Sequence, residues 1–190
     1  MNVILLDGPV GETEALRAMR LPYSAGSTVS REKDMQLGKT LTLKGDSHSK
    51  FARLIDVWLE IRAPRFWWQE FDTYRMGVDK VSASTMNKLT SQPIVEQDFE
   101  YPHLISPALL QYLNFHLEKC RTNEISLAEF KSLLPEGYLQ TRIVKCSVQA
   151  LHSMYRDRKN HRLPQWRIFF DALRSAGSLI LSTFVFEETP

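Results

Sequence analysis

The densest group of side chains able to do chemistry is Arg156-Asp157-Arg158-Lys159-Asn160-His161-Arg162, where five of seven residues are Arg, Lys or His. The planar fork of arginine suits bidentate contact with phosphate oxygens. Tyr155 and Trp166 flank the run, and Thr141-Arg142 adds another guanidinium on the same predicted helix or just before it. The same run also reads as a solvated basic turn, favoured where a helix ends. Both readings stay open on residues alone. Other motifs fall short. Gly38-Lys39-Thr40 hints at a phosphate loop, but the position five residues before the Gly-Lys pair holds Lys33 instead of glycine. His48, His103, His116, His152 and His161 contain no pair at three- or four-residue helical spacing, so no metal site is expected. No Gly-x-Ser-x-Gly elbow is present. Cys120 and Cys146 are too few and too isolated for a disulfide framework or a Cys-rich zinc site.

The elements that must position these groups follow from periodicity. Residues 3–7 are an apolar run closed by Gly8-Pro9, predicting a buried strand that ends in a turn. Residues 12–20 have helix-forming composition and stop at Pro22. A polar stretch over 24–50 reads as loop with one short helix at 31–43. Ile55, Val57, Leu59 and Ile61 alternate, predicting a half-buried strand over 53–62. Pro64 opens an aromatic helix that Gly77 ends. Its cluster Phe66-Trp67-Trp68-Phe71 suits either a core or an interface. Residues 78–106 read as an irregular loop.

Ser106-Pro107 starts a helix to about Lys119, and Ser126 with Glu129 forms a capping box for a short helix ending at Leu134. A longer helix is predicted over 138–157 from the steps Val144, Val148, Leu151 and Tyr155. Pro164 opens a last helix that turns Trp166, Phe169 or Phe170, and Leu173 inward before Gly177. The apolar stretch 179–186 reads as a strand or a docked segment.

A chain of 190 residues with a net charge of +2 is sized for one domain over 1–190 and excludes a surface built wholly for nucleic acid. An apolar content of 43% excludes wholesale disorder. No apolar run reaches the roughly 18–20 residues of a membrane span, and the start lacks a basic signal-like region. A soluble, cytoplasmic protein of mixed α and β class is expected.

Two blocks together bear a family likeness. Residues 54–86, from Leu-Ile-Asp-Val-Trp-Leu-Glu-Ile-Arg-Ala-Pro through Asp-Thr-Tyr-Arg to Ser-Ala-Ser-Thr-Met, resemble the strand, helix and signature loop of flavin-dependent thymidylate synthases (ThyX). Residues 134–142 and 158–166 resemble that family's Leu-Pro…Thr-Arg and Leu-Arg-x-Asp-x-His-Ala-Gln-Trp segments. Ala15-Leu-Arg-Ala-Met-Arg-Leu and Ser49-Lys-Phe51 resemble its first helix and its Ser/Thr-Pro-Phe. The likeness covers about three quarters of the chain, with no motif intact. It implies an α+β ThyX-like fold, with a central, mostly antiparallel sheet and a helical second half.

Position by position, the resemblance implies that Arg158 and Arg142 hold a nucleotide phosphate. Glu70 and Gln165 would lie at the substrate. The family's Arg-His-Arg falls on Thr73-Tyr74-Arg75, keeping only the last arginine. Its loop serine falls on Ser82 or Ser84, and the arginine two residues later is replaced by Ser84 or Met86. The catalytic candidates are therefore Ser82, Ser84 and Arg75, while Ser49, Tyr74, Arg75, Ser153 and His161 are candidates for holding FAD. Thr73 and Tyr74 carry less positive charge than the family's Arg-His, although Tyr can stack and hydrogen-bond. Losing the arginine after the loop serine removes electrostatic support of a kind often worth about 10²-fold or more in rate.

Three functional readings follow. The first is a ThyX-like enzyme transferring one carbon to a pyrimidine deoxynucleotide. Methylation of dUMP with FAD, NADPH and methylene-tetrahydrofolate is the simplest case. The second is a nucleotide-binding or interaction protein that kept the fold without flavin chemistry. The third and least favoured is a nucleic-acid module using residues 156–162, with Tyr155 and Trp166 as stacking rings. The resemblance further implies a homotetramer with sites built between chains, and the reduced signature suits a phage or prophage protein.

Overall fold

The computed structural model describes residues 1–22, 30–83 and 89–186. Four strands form an antiparallel sheet in the order β1-β2-β4-β3: β1 (Asn2–Val10), β2 (Asp56–Pro64), β3 (Val78–Ser82) and β4 (Leu139–Ser147). The helices are α1 (Glu12–Arg20), α2 (Arg31–Leu43), α3 (Arg65–Phe71), α4 (Pro107–Arg121), α5 (Leu127–Ser132), α6 (Val148–Arg158), α7 (Pro164–Ser175) and α8 (Leu179–Phe184). This is an α+β fold whose second half is mainly helical.

The described chain groups into two compact units. One comprises Met1–Asn2, Ile61–Thr73 and Val81–Ile143. Its core is Leu89, Ile94, Phe99, Leu113, Leu117, Phe130 and Leu134, drawn mostly from α4, α5 and the segments before them. Ser106 and Ser126 cap α4 and α5, each hydroxyl accepting a backbone N–H three residues on. The other unit comprises Val3–Glu60, Tyr74–Lys80 and Val144–Pro190. There Ile55, Val57 and Leu59 are fully buried, as their alternation predicts. The buried faces of α6, α7 and α8 supply Leu151, Met154, Trp166, Phe169, Phe170 and Phe184.

Several local expectations change. β1 does not stop at Gly8-Pro9 but runs to Val10, and as an edge strand it leaves Ile4 and Leu6 exposed rather than buried. Gly8 has φ +108, and a Cβ there would come within 2.8 Å of the Asp56 carbonyl oxygen. Glycine therefore serves close backbone approach to β2, not a chain reversal.

Residues 78–106, expected to be irregular, contain β3 and two short 3-10 turns. The helix expected over 138–157 is instead β4 followed by α6. Thr141, Ile143 and Val144 favour extended backbone, and Ser147 ends the strand by capping α6 through the Ala150 N–H at 3.2 Å. The spacing from Val144 to Val148 crosses that junction, which is why it imitates a helix. Residues 179–184 are helical, with Ser178 as N-cap.

Candidate functional site

Gly38 lies within α2, where an added Cβ would sit 2.8 Å from the Phe184 ring. It is a packing glycine, and Gly38-Lys39-Thr40 forms no phosphate loop.

Within the larger helical unit, several candidates meet around Trp166. This ring is fully buried and lies 6.1 Å from Tyr74, 6.5 Å from His161 and 5.9 Å from Phe170. Arg158 ends α6 half-buried, its guanidinium 5.6 Å from the Trp166 ring centre and 5.8 Å from that of Tyr74. Arg158 Nε donates to the Tyr74 hydroxyl at 3.1 Å, and that hydroxyl donates to Asp157 at 3.5 Å. Burial raises the Tyr74 pKa above the usual phenol value, while Arg158 pulls it back. Tyr74 is thus a neutral phenol that can stack, donate and accept. His161 accepts the Leu163 N–H on Nδ1 at 3.2 Å, which places the proton of the neutral ring on Nε2. Gln165 is buried beside Trp166 in the first turn of α7.

Pro164 fixes this arrangement by starting α7 directly after the basic turn. Trp166 is fully buried and Tyr155 nearly so, and neither presents an open face on which a base could stack.

Arg142 has a different environment, within the other unit. It lies on β4, not on a helix. Its Nη1 donates to both carboxylate oxygens of Asp72, at 2.9 and 3.1 Å, and Nη2 donates to Gln140 at 3.3 Å. The guanidinium stacks 4.1 Å from the Trp68 ring centre, and Trp68 Nε1 donates to the Gln140 carbonyl at 3.1 Å. The Arg142 Nε is buried with no hydrogen-bond partner among the described residues. Sequence reasoning missed Asp72 and Trp68 as partners. Their four-residue spacing, which puts them on one face at the end of α3, was the available signal.

The remaining candidates are more scattered. Glu70 is half-buried on α3, and its carbonyl accepts from the Thr73 hydroxyl at 2.7 Å. Arg75 is exposed in the turn after α3. Ser82 is exposed at the end of β3, next to Ala83, whose N–H donates to the Thr141 carbonyl at 2.9 Å. Ser84 and Met86 lie outside the described residues. Ser49 is buried before a 3-10 turn, and Ser153 donates its hydroxyl to the Gln149 carbonyl at 3.1 Å. Asp157 was not among the predicted site residues, yet it is the second partner of the Tyr74 hydroxyl. No helix among the described residues is long and apolar enough to cross a membrane.

The antiparallel sheet and the helical second half make an α+β protein, and its fold is that of the flavin-dependent thymidylate synthases. The chain is similar to thymidylate synthase X of Helicobacter pylori, solved with FAD and dUMP: TM-score 0.73, 16% identity, with 97% of each chain covered. A second structure of that protein with the same ligands gives a TM-score of 0.66 at 17% identity over 93% of each chain. PolB of Streptomyces cacaoi, a UMP/dUMP methylase bound with 5-Br dUMP, gives 0.70 at 13% identity, covering 97% of this chain and 93% of that one. No family model and no curated protein matches the sequence. Identities this low establish the fold alone.

Proposed function

We propose that this chain is a ThyX-like enzyme that binds a pyrimidine deoxynucleotide and carries out flavin-dependent one-carbon transfer, with dUMP methylation as the simplest case. The observation that carries the proposal is Arg158, held between Tyr74 and Trp166 in a fold shared with structures solved with dUMP and its 5-bromo analogue. In this reading Arg158 holds the phosphate and Gln165 contacts the nucleotide, and Arg142 and Glu70 are the further candidates that the family resemblance implies. The Trp68 and Asp72 contacts fix the Arg142 guanidinium in one orientation, so that little conformational entropy is lost on binding.

Tyr74 supplies a half-buried aromatic face, and Arg75 an exposed cation for a pyrophosphate. His161 keeps Nε2 as a donor, because Nδ1 accepts a backbone N–H. These groups fit a flavin dinucleotide, with Ser49 and Ser153 as further candidates. FAD would supply the redox chemistry, and NADPH and methylene-tetrahydrofolate would be cosubstrates. The protein's own contribution is to orient the nucleotide through Arg158, with the Tyr74 hydroxyl as its hydrogen-bond partner.

One observation favours the second reading, a nucleotide binder without flavin chemistry. Thr73 and Tyr74 are neutral where the family's signature is cationic, and Asp72 neutralises Arg142. The readings part on purification. Visible flavin absorbance, or uptake of added FAD, supports the enzyme, whereas colourless protein that takes up none overturns it. Thermal shift with dUMP and dCMP then tests nucleotide binding, and an unchanged shift in Arg158→Ala would sink the phosphate assignment. A homotetramer belongs to the proposal too. The apolar side chains Ile4, Leu6 and Trp58, exposed on the neighbouring strands β1 and β2, support it, and light scattering of the purified protein tests it.

A further inference from the structure

At the end of α6 a chain of polar contacts leads to the guanidinium of Arg158. Arg156 Nη1 lies 3.7 Å from the Asp46 carboxylate, and Arg156 Nε donates to Asp157 at 3.2 Å. Asp157 accepts the Tyr74 hydroxyl proton at 3.5 Å, and the same hydroxyl oxygen accepts from Arg158 Nε at 3.1 Å. Tyr74 opens the segment Tyr74–Lys80, which belongs to the same compact unit as α6 and α7. Its ring meets the fully buried Trp166 edge-on, 6.1 Å away at 74°. A tyrosine has only two side-chain torsions, and this ring contact restrains both, so the hydroxyl oxygen is held at one place. The first arginine of the basic run thus serves two carboxylates, whereas Arg158 is held at Nε by a neutral phenol.

An arginine at a helix end has large rotamer entropy, and a ligand that needs one orientation must remove that freedom on binding. Arg158 is half-buried, with its guanidinium 5.6 Å from the Trp166 ring centre and 5.8 Å from that of Tyr74. Ring faces keep a cation near but do not fix the plane of the guanidinium. A hydrogen bond at Nε does, because the five N–H groups form one rigid planar fork. Building on the assignment of the phosphate to Arg158, we infer that Tyr74 is a positioning residue for it. The Tyr74 hydroxyl, ordered by Asp157, sets the plane in which the guanidinium meets the nucleotide phosphate. Two parallel N–H groups reach two phosphate oxygens only when that plane is aligned. Fixing it beforehand strengthens binding without adding a contact to the ligand. Asp157 acts by taking the phenol proton, which leaves the oxygen lone pairs directed to Arg158 Nε.

Calorimetric titration of the full chain with dUMP tests this. Tyr74→Phe keeps the ring against Trp166 and removes only the hydroxyl, and should weaken dUMP binding by about five- to tenfold. In an Arg158→Ala background the same change should have no further effect, since the hydroxyl acts through Arg158. Asp157→Asn and Asp157→Ala are equally uncharged, so the difference between them isolates the acceptor. The asparagine variant keeps an oxygen for the phenol proton and should bind dUMP about threefold more tightly than the alanine variant. Without ligand, the Arg158 Nε–H signal in NMR should be sharp in the native chain and broadened in Tyr74→Phe. Native dUMP affinity in Tyr74→Phe, with Arg158→Ala still weakened, would overturn the positioning role and leave the phosphate assignment standing. An equal loss from Tyr74→Phe in both backgrounds would overturn it too, because the phenol would then touch the nucleotide itself. No dUMP binding by the native chain, or unchanged affinity in Arg158→Ala, would instead overturn the phosphate assignment, and the positioning role with it.

Discussion

Breaking the contact between Asp72 and Arg142 gives the sharpest test of how β4 and α3 are held together. The Asp72 carboxylate chelates one Arg142 nitrogen at 2.9 and 3.1 Å. A hydrogen bond between charged groups contributes about 1.5–3 kcal/mol. The Asp72 side chain is 40% exposed and that of Arg142 14%, so water can replace part of the contact and the lower end applies. Asp72→Ala should therefore cost about 1.5 kcal/mol, a fall in Tm of about 3–6 °C for a chain of this size.

Arg142→Ala also loses the stacking on Trp68, worth about 1 kcal/mol or slightly more at a partly buried site. Its total should reach about 2.5–4 kcal/mol. Urea denaturation of both single variants and the double variant reads the coupling directly, and about 1.5 kcal/mol is expected. A coupling below about 0.5 kcal/mol would refute the reasoning, because pairs that share no interaction add within that margin.

Three further outcomes follow from other parts of the structure. Gly77 has φ +71, and a side chain there would overlap the Ser147 hydroxyl that caps α6, so Gly77→Ala should destabilise by about 2 kcal/mol or more in urea titration. Burial lowers the His152 pKa, with Arg156 lowering it and Asp46 and the Val185 and Phe184 backbone raising it. The folded state therefore prefers neutral His152, and stability present above the ordinary histidine value of about 6.5 should be lost as pH falls towards the depressed folded value. His152→Gln should flatten this acid limb of a stability–pH curve. Burial pushes the Cys146 thiol up to about 12, whereas Cys120 is only half-buried. Thiol titration of the native protein should modify Cys120 and spare Cys146 until denaturant is added.

The elements the sequence marked most clearly were those with local chemistry of their own. Ser126 and Glu129 close a reciprocal cap, Pro64 opens an aromatic helix, and Val57, Leu59 and Ile61 keep strict period-two burial. What was misread lay at junctions and edges. Val144 and Val148 belong to different elements separated by the Ser147 cap, and no hydrophobic spacing marks such a boundary. The apolar residues of β1 read as core because a sequence does not state that its strand lies at the sheet edge. At the site, Arg158 and His161 came from one basic run and Tyr74 from a separate motif, and all three meet through one tryptophan. The restraint of Arg142 by Asp72 spans seventy residues of chain and needs the paired strands to be visible.

The proposed function rests on Arg158 as the residue that would hold the phosphate of a pyrimidine deoxynucleotide. A crystal structure of the protein grown with saturating dUMP and FAD tests it most directly. The dUMP phosphate is expected in hydrogen-bond contact with the Arg158 guanidinium, beside Tyr74. A structure with no nucleotide there, or with its phosphate bound away from both Arg158 and Arg142, would contradict it.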